Sequence, residues 1–273
     1  MPRLFRPVLV SLLVALRVSA NDAPAPADPA AEAWRALRER RHVEAAPAFE
    51  TALRRGPASA VLRLGHAVAL LNRQPRRREN IAEADRLLAV LAREADDVDL
   101  QARYLRARVA EAHLFEPDPQ LAARRYAELI ADAPTHPFAQ AAVPKLVRLR
   151  VYSLGEDPLD ALAAAEPWAS ALTDASARRD YHFVMARSYL FFKASPERAL
   201  AHLLAAREAG QLIPAQAAAT LAGIAELARE LGRADLARDA YREFLDTHRR
   251  DRRVYMIRQR LAGLGEAAPA PDR

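Results

Sequence analysis

Five basic side chains carry the plainest binding chemistry in this sequence: Arg63, His66, Arg103, Arg106 and Arg148. Each falls on the polar side of a helical stretch. A guanidinium is a planar fork of N–H donors that suits a carboxylate held through two hydrogen bonds. Should successive helices turn these sides towards one groove, that groove would grip a carboxylate-bearing protein or peptide. The bland alternative is a solvated, arginine-rich face.

No constellation for catalysis accompanies them. The chain has no His-Glu-x-x-His, no Gly-x-Ser-x-Gly and no glycine-rich phosphate loop. Its seven histidines never stand three or four apart in one helix, and there is no cysteine. A metal site would need ligands gathered across distant segments. Asp96, Asp97 and Asp99 lack the spacing and the glycine of a calcium loop and precede a helix, where carboxylates complement the helix dipole. Asp160, Glu166 and Glu226 have no partner visible in the sequence. We therefore expect no catalytic, cofactor-binding or metal-binding residue, and no enzyme. Trp168, Tyr181, Tyr189, Phe191 and Phe192 form the densest aromatic region, expected to pack between neighbouring helices.

The elements that must position these residues repeat. Six alanines, Ala45, Ala84, Ala122, Ala161, Ala199 and Ala237, recur every 38 or 39 residues. Four residues after them stand Phe49, Leu88, Tyr126, Ala165, Leu203 and Tyr241. Seven after them stand Ala52, Leu91, Leu129, Trp168, Ala206 and Phe244. Offsets of four and seven place all three side chains on one helical face. Four residues before four of the anchors are the N-cap candidates Asn80, Asp118, Asp157 and Ser195, and the last three precede Pro119, Pro158 and Pro196. Proline suits a first helical turn, where its missing N–H has no partner to lose.

Each repeat pairs this trailing helix with a leading one. Leading helices are predicted near 31–40, 58–72, 98–115, 138–152, 176–192 and 214–231, and trailing ones near 43–55, 81–94, 119–132, 158–172, 196–208 and 234–247. A last helix near 252–263 would cap the array. Pro144 should kink or delay the helix that contains it. The fold class implied is all-α: a right-handed α-solenoid of about six helix-turn-helix repeats with a C-terminal capping helix.

The stretch from Leu221 to Leu245, with Ala225, Gly232, Ala237, Tyr241 and Phe244, resembles the tetratricopeptide repeat superfamily. Leu64-Gly65 and the segment from His42 to Pro57 resemble the same pattern, although the period exceeds the family's usual 34. The resemblance implies a concave surface, lined mostly by leading helices, that binds protein or peptide partners.

The two ends carry signals of their own. Arg3 and Arg6, the apolar run Val8–Leu16 and the small residues Val18-Ser19-Ala20 resemble a signal peptide over 1–20, cleaved after Ala20. A Pro/Ala linker follows over 21–30, the repeat domain spans 31–265, and 266–273 is a tail. Without Arg3, Arg6 and Arg17 the formal charge of +6 becomes +3. Weak charge and export both argue against nucleic acid, so a periplasmic or secreted scaffold in envelope assembly or secretion is expected. Arg76–Arg78 and Arg249–Arg253 are expected to be loop charges, able to touch anionic lipid head groups of the envelope. The alternative is a cell-wall or carbohydrate-binding module, which needs Trp34, Tyr104, Trp168 and Tyr181 exposed as stacking platforms.

Overall fold

A computed structural model describes residues 28–57, 59–92, 97–210 and 213–265. The expected signal peptide and the C-terminal tail lie outside the described residues. Among those described, every regular element is helical and none is a strand. No described helix is long and apolar enough to cross a membrane. The chain divides into two compact units, one ending at Ala102 and one beginning at Arg103.

The first unit holds α1 (Pro29–Arg38), α2 (His42–Arg55), α3 (Ala60–Asn72), α4 (Arg78–Leu91) and the start of α5 (Asp97–Arg108). Helix α1 packs on α2, α2 on α3, and α3 on α4. The apolar stripe is what they bury: Ala45, Phe49, Ala84, Leu88 and Leu91 are all 0% exposed. Trp34 meets Phe49 edge to face, with ring centroids 4.9 Å apart. Gly65 on α3 lets the backbone approach this pair, since a Cβ there would stand 2.5 Å from the Phe49 ring and 2.8 Å from Trp34.

The second unit continues α5 through a π-helical turn, Val109–His113, into α6 (Pro119–Asp132) and α7 (Pro137–Tyr152). Then come α8 (Pro158–Ala165) with its 3-10 extension Glu166–Ala171, α9 (Ala175–Phe191), α10 (Pro196–Ala209), α11 (Pro214–Glu230), α12 (Ala234–Thr247) and α13 (Val254–Ala262). Helix α6 packs on α7, α9 on α10, α10 on α11, α11 on α12 and α12 on α13, while α7 touches both α8 and α9. Tyr126, Tyr241 and Phe244 are fully buried, each removing enough apolar surface to contribute about 2–3 kcal/mol. Trp168, at the equivalent spacing but in the 3-10 extension that follows α8, is only half-buried.

Local chemistry explains the helix starts. Asp118, Asp157 and Ser195 each accept a backbone N–H of the first turn, with Pro119, Pro158 and Pro196 directly behind them. Asn80 is the exception: α4 starts two residues earlier, at Arg78, so Asn80 lies inside the helix and caps nothing. The expected linker also ends sooner than position 30, because Asp28 accepts the Ala30 N–H at 3.0 Å and starts α1 at Pro29. Helix α7 runs through Pro144 without a break, and its start is set instead by His136, whose ring accepts the Phe138 N–H. Asp97 and Asp99 sit in the first turn of α5, where their charge favours the helix dipole. Gly232, at φ 71, closes the turn between α11 and α12, a backbone state that favours glycine.

One buried polar residue ties the second unit together. Gln140 of α7 is 1% exposed. Its carbonyl accepts the N–H groups of Thr173 (3.0 Å) and Asp174 (2.6 Å), and its amide donates to the carbonyl of Ala171 (3.2 Å). The loop entering α9 is thereby pinned to the first turns of α7.

Candidate functional site

The π turn sets up the densest charged cluster in the second unit. Five residues in a wider helical loop shift the facing of the side chains beyond it, and such turns recur at functional positions. Here the turn carries Glu111, whose side chain is only 3% exposed. Its carboxylate pairs with Arg108 of α5 and with Arg148 of α7, and accepts the Tyr126 hydroxyl of α6 at 2.6 Å. Arg125 reaches back to the Arg106 carbonyl at 2.7 Å and fastens α6 to the same stretch of α5. Tyr104 is buried beside Tyr126 and Phe138, with centroids 5.9 and 5.7 Å away, and burial raises its hydroxyl above the ordinary value.

A third cation feels the charge of Arg108. Lys145 stands one turn before Arg148 on α7 and is half-buried. Burial, and then the charge of Arg108, pull its ammonium down to about 8, against a partial pull upward from Asp180 of α9. Asp180 is itself held by Arg179 at 2.9 Å. Arg148 is lowered too, by burial first and by Arg108 second. Two guanidiniums thus face a single buried carboxylate. The half of Arg148 left exposed offers donors to an incoming anion, since 48% of its side chain is open.

The five basic residues prominent in the sequence do not all gather here. Arg148 belongs to the cluster. Arg106 contributes its backbone carbonyl, and Arg103 is turned to Asp132 at the end of α6, at 2.6 Å. Arg63 and His66 lie half-buried on α3, in the first unit. Burial lowers the His66 imidazole, while Glu50 and Glu83 act the other way. Arg108, Glu111, Tyr126 and Lys145 are not among those five. One signal for them is present in the chain: Tyr126 follows Glu111 by 15 residues, and Tyr241 follows Glu226 by the same interval, with the same bond at 2.8 Å. Trp34 and Phe49 occupy that spacing as well.

Glu166 and Glu226 prove to be partnered, contrary to the sequence reading, mostly by residues of other helices. Glu226 also meets Arg229 and Arg260. Glu166 accepts the Tyr189 hydroxyl at 2.5 Å and faces His202 Nε2 at 3.3 Å, with Arg198 at 3.8 Å. Burial works to raise its carboxyl, but Tyr189, His202 and Arg198 outweigh that and leave it below the ordinary value. On its other side, His202 Nδ1 lies 2.8 Å from His182 Nδ1. Two histidines 20 residues apart thus meet, one from α9 and one from α10. Among the described residues no group of three or more His, Asp or Glu side chains is arranged to hold a metal ion.

The aromatic region divides. Tyr181 and Tyr189 are core, at 0% and 4% exposure, whereas Phe191 is exposed beside Tyr152 and Phe192. Of the four proposed stacking platforms, Tyr104 and Tyr181 are buried and Trp34 and Trp168 half-buried, with Arg150 lying over the Trp168 ring. No family model matches this chain, and no curated protein matches it.

Proposed function

We propose that this chain is an exported helical-repeat scaffold, a right-handed α-solenoid of about six helix-turn-helix repeats similar to tetratricopeptide repeats, that binds a protein or peptide through the partner's acidic groups. Support for the repeat comes from buried stripes at equivalent positions, from consecutive helices packing on each other within each unit, and from the repeated Tyr–Glu bond. The observation that carries the binding proposal is the excess of cation around Glu111: Arg108 and Arg148 share one buried carboxylate that cannot neutralise both. Arg148, half-exposed, is the contact for the partner. Repeats supply such surfaces by stacking, with no separate domain needed.

The test is capture in the native cells with a photo-crosslinking residue placed at exposed positions of α5 and α7. A protein partner retained by the unaltered chain and lost on Arg148→Glu supports the reading. Capture of glycan alone, or a partner indifferent to Arg148→Glu, refutes it.

A further inference from the structure

Helices α7 and α9 run side by side in the same direction. Gln140, in the first turns of α7, accepts the N–H of Asp174, the residue that caps α9. At the other end Tyr152, the last residue of α7, bonds Ser188 near the end of α9 at 2.8 Å. Ser188 gives its own hydrogen to the Val184 carbonyl, so the tyrosine is the donor and its ring is held in one orientation.

These two helices turn the same pair of side chains outwards twice. Arg148 is followed four residues later by Tyr152, and Arg187 by Phe191, one repeat of 39 residues further on. Side chains four apart share one face of a helix. Arg148 is 48% open, Arg187 is exposed, and Tyr152 and Phe191 are 44% and 67% exposed. The arginines therefore form one row across α7 and α9, and the rings a second row one turn nearer the C-terminal ends.

Phe192 closes the second row into a corner. Its ring lies at 27° to that of Tyr152, with centroids 5.6 Å apart, while Phe191 stands across both, at 69° and 86°. Such a corner suits one inserted apolar side chain better than the flat face of a sugar. The charge beside it is positive. Among the described residues no carboxylate pairs with Arg187, whose guanidinium lies over the Phe183 ring, or with exposed Lys193, which directly follows Phe192. Arg148 shares its one carboxylate with Arg108.

We infer that the corner of Tyr152, Phe191 and Phe192 is the anchoring subsite for the partner, taking a leucine or aromatic side chain from a peptide segment whose acidic residue lies over the row of Arg148 and Arg187. The inference rests on the proposed capture of an acidic partner and adds what that partner must carry. One helical turn is about 5.4 Å, which an extended peptide covers in about two residues, so the acidic and apolar residues of the segment stand about two apart. The anchor supplies the affinity, because rings already fixed in place lose little freedom when they are covered. The arginines select the acidic neighbour.

The full chain is tested in its native cells with a photo-crosslinking residue in place of exposed Ala194, just beyond the corner. The attached segment is mapped by mass spectrometry, made as a synthetic peptide and titrated by fluorescence anisotropy. It should carry a leucine or aromatic residue about two positions from an aspartate or glutamate, and bind the unaltered chain about tenfold more tightly than Phe191→Ala. Serine in place of that apolar residue should weaken binding to the unaltered chain equally and add nothing in Phe191→Ala. Circular dichroism checks the helix content of each variant. Attachment of lipid, glycan, a second copy or nothing at all, or a peptide bound equally well by Phe191→Ala, overturns the inference. Arg148→Glu reads the binding proposal separately. A peptide lost in Arg148→Glu but kept in Phe191→Ala leaves that proposal standing and removes this one, whereas a peptide kept in Arg148→Glu removes both.

Discussion

Acidification should weaken the second unit through one buried imidazole pair. His182 is 8% exposed, and its Nδ1 lies 2.8 Å from His202 Nδ1. Burial, then the charge of His202, then that of Arg178 bring its value down to about 4, with Glu166 offsetting only part. Because the folded value lies below the ordinary 6.5, the unfolded chain takes up the proton first. The full stability is therefore present above about pH 6.5, where neither state is protonated, and declines as pH falls below it by about 1.4 kcal/mol per unit. The loss levels off near the folded value, at about 3 kcal/mol in all. His202, also lowered by burial, acts in the same direction. Glu166 is a depressed carboxylate, so its contribution is lost only at lower pH, as the solution falls through its folded value. The window from about pH 6.5 to 4.5 is then where the imidazoles dominate. The two tryptophans divide between the units, so a Trp34→Phe chain reports on the second unit through Trp168 alone. Urea unfolding followed by that fluorescence, repeated through the window, should show a steeper loss of stability than the same chain carrying His182→Gln. Equal slopes in the two would refute the argument that burial of His182 sets this dependence.

Three further outcomes are expected. Gly65→Ala should destabilise the first unit by about 1–3 kcal/mol, because the added methyl group meets the rings of Phe49 and Trp34 well inside contact distance; chemical denaturation followed by Trp34 fluorescence reads it. Gln140→Leu should cost the second unit about 2–4 kcal/mol, since the N–H groups of Thr173 and Asp174 lose their acceptor, and hydrogen exchange at those two amides should accelerate. Glu111→Gln should lower stability by about 2 kcal/mol, a figure discounted for the half-exposed Arg148, which urea unfolding of the second unit measures.

Local information accounts for most of the helices. The offsets of four and seven from each anchoring alanine, with Asp118, Asp157 and Ser195 ahead of three of them, place the starts of α6, α8 and α10, because both the cap and the stripe act over a single turn or two of backbone; α8 gives way at Ala165 to a 3-10 turn short of the expected 172. Asn80 misled for the same reason: a capping residue type is a preference, and α4 began where its own packing allowed, at Arg78. Pro144 likewise lies within a continuous α7, buried among neighbours that hold it there.

The charged sites were a different matter. Arg108, Glu111, Tyr126 and Arg148 are brought together by three helices and a π turn, and His182 meets His202 only because α9 lies along α10. The sequence by itself determined an all-helical chain, the stripes it buries and the turns between them, since these follow from periodicity and from the first turn of each helix. Tertiary structure alone decided which charges face one another, because that depends on how neighbouring helices cross and how deeply each side chain is taken out of water.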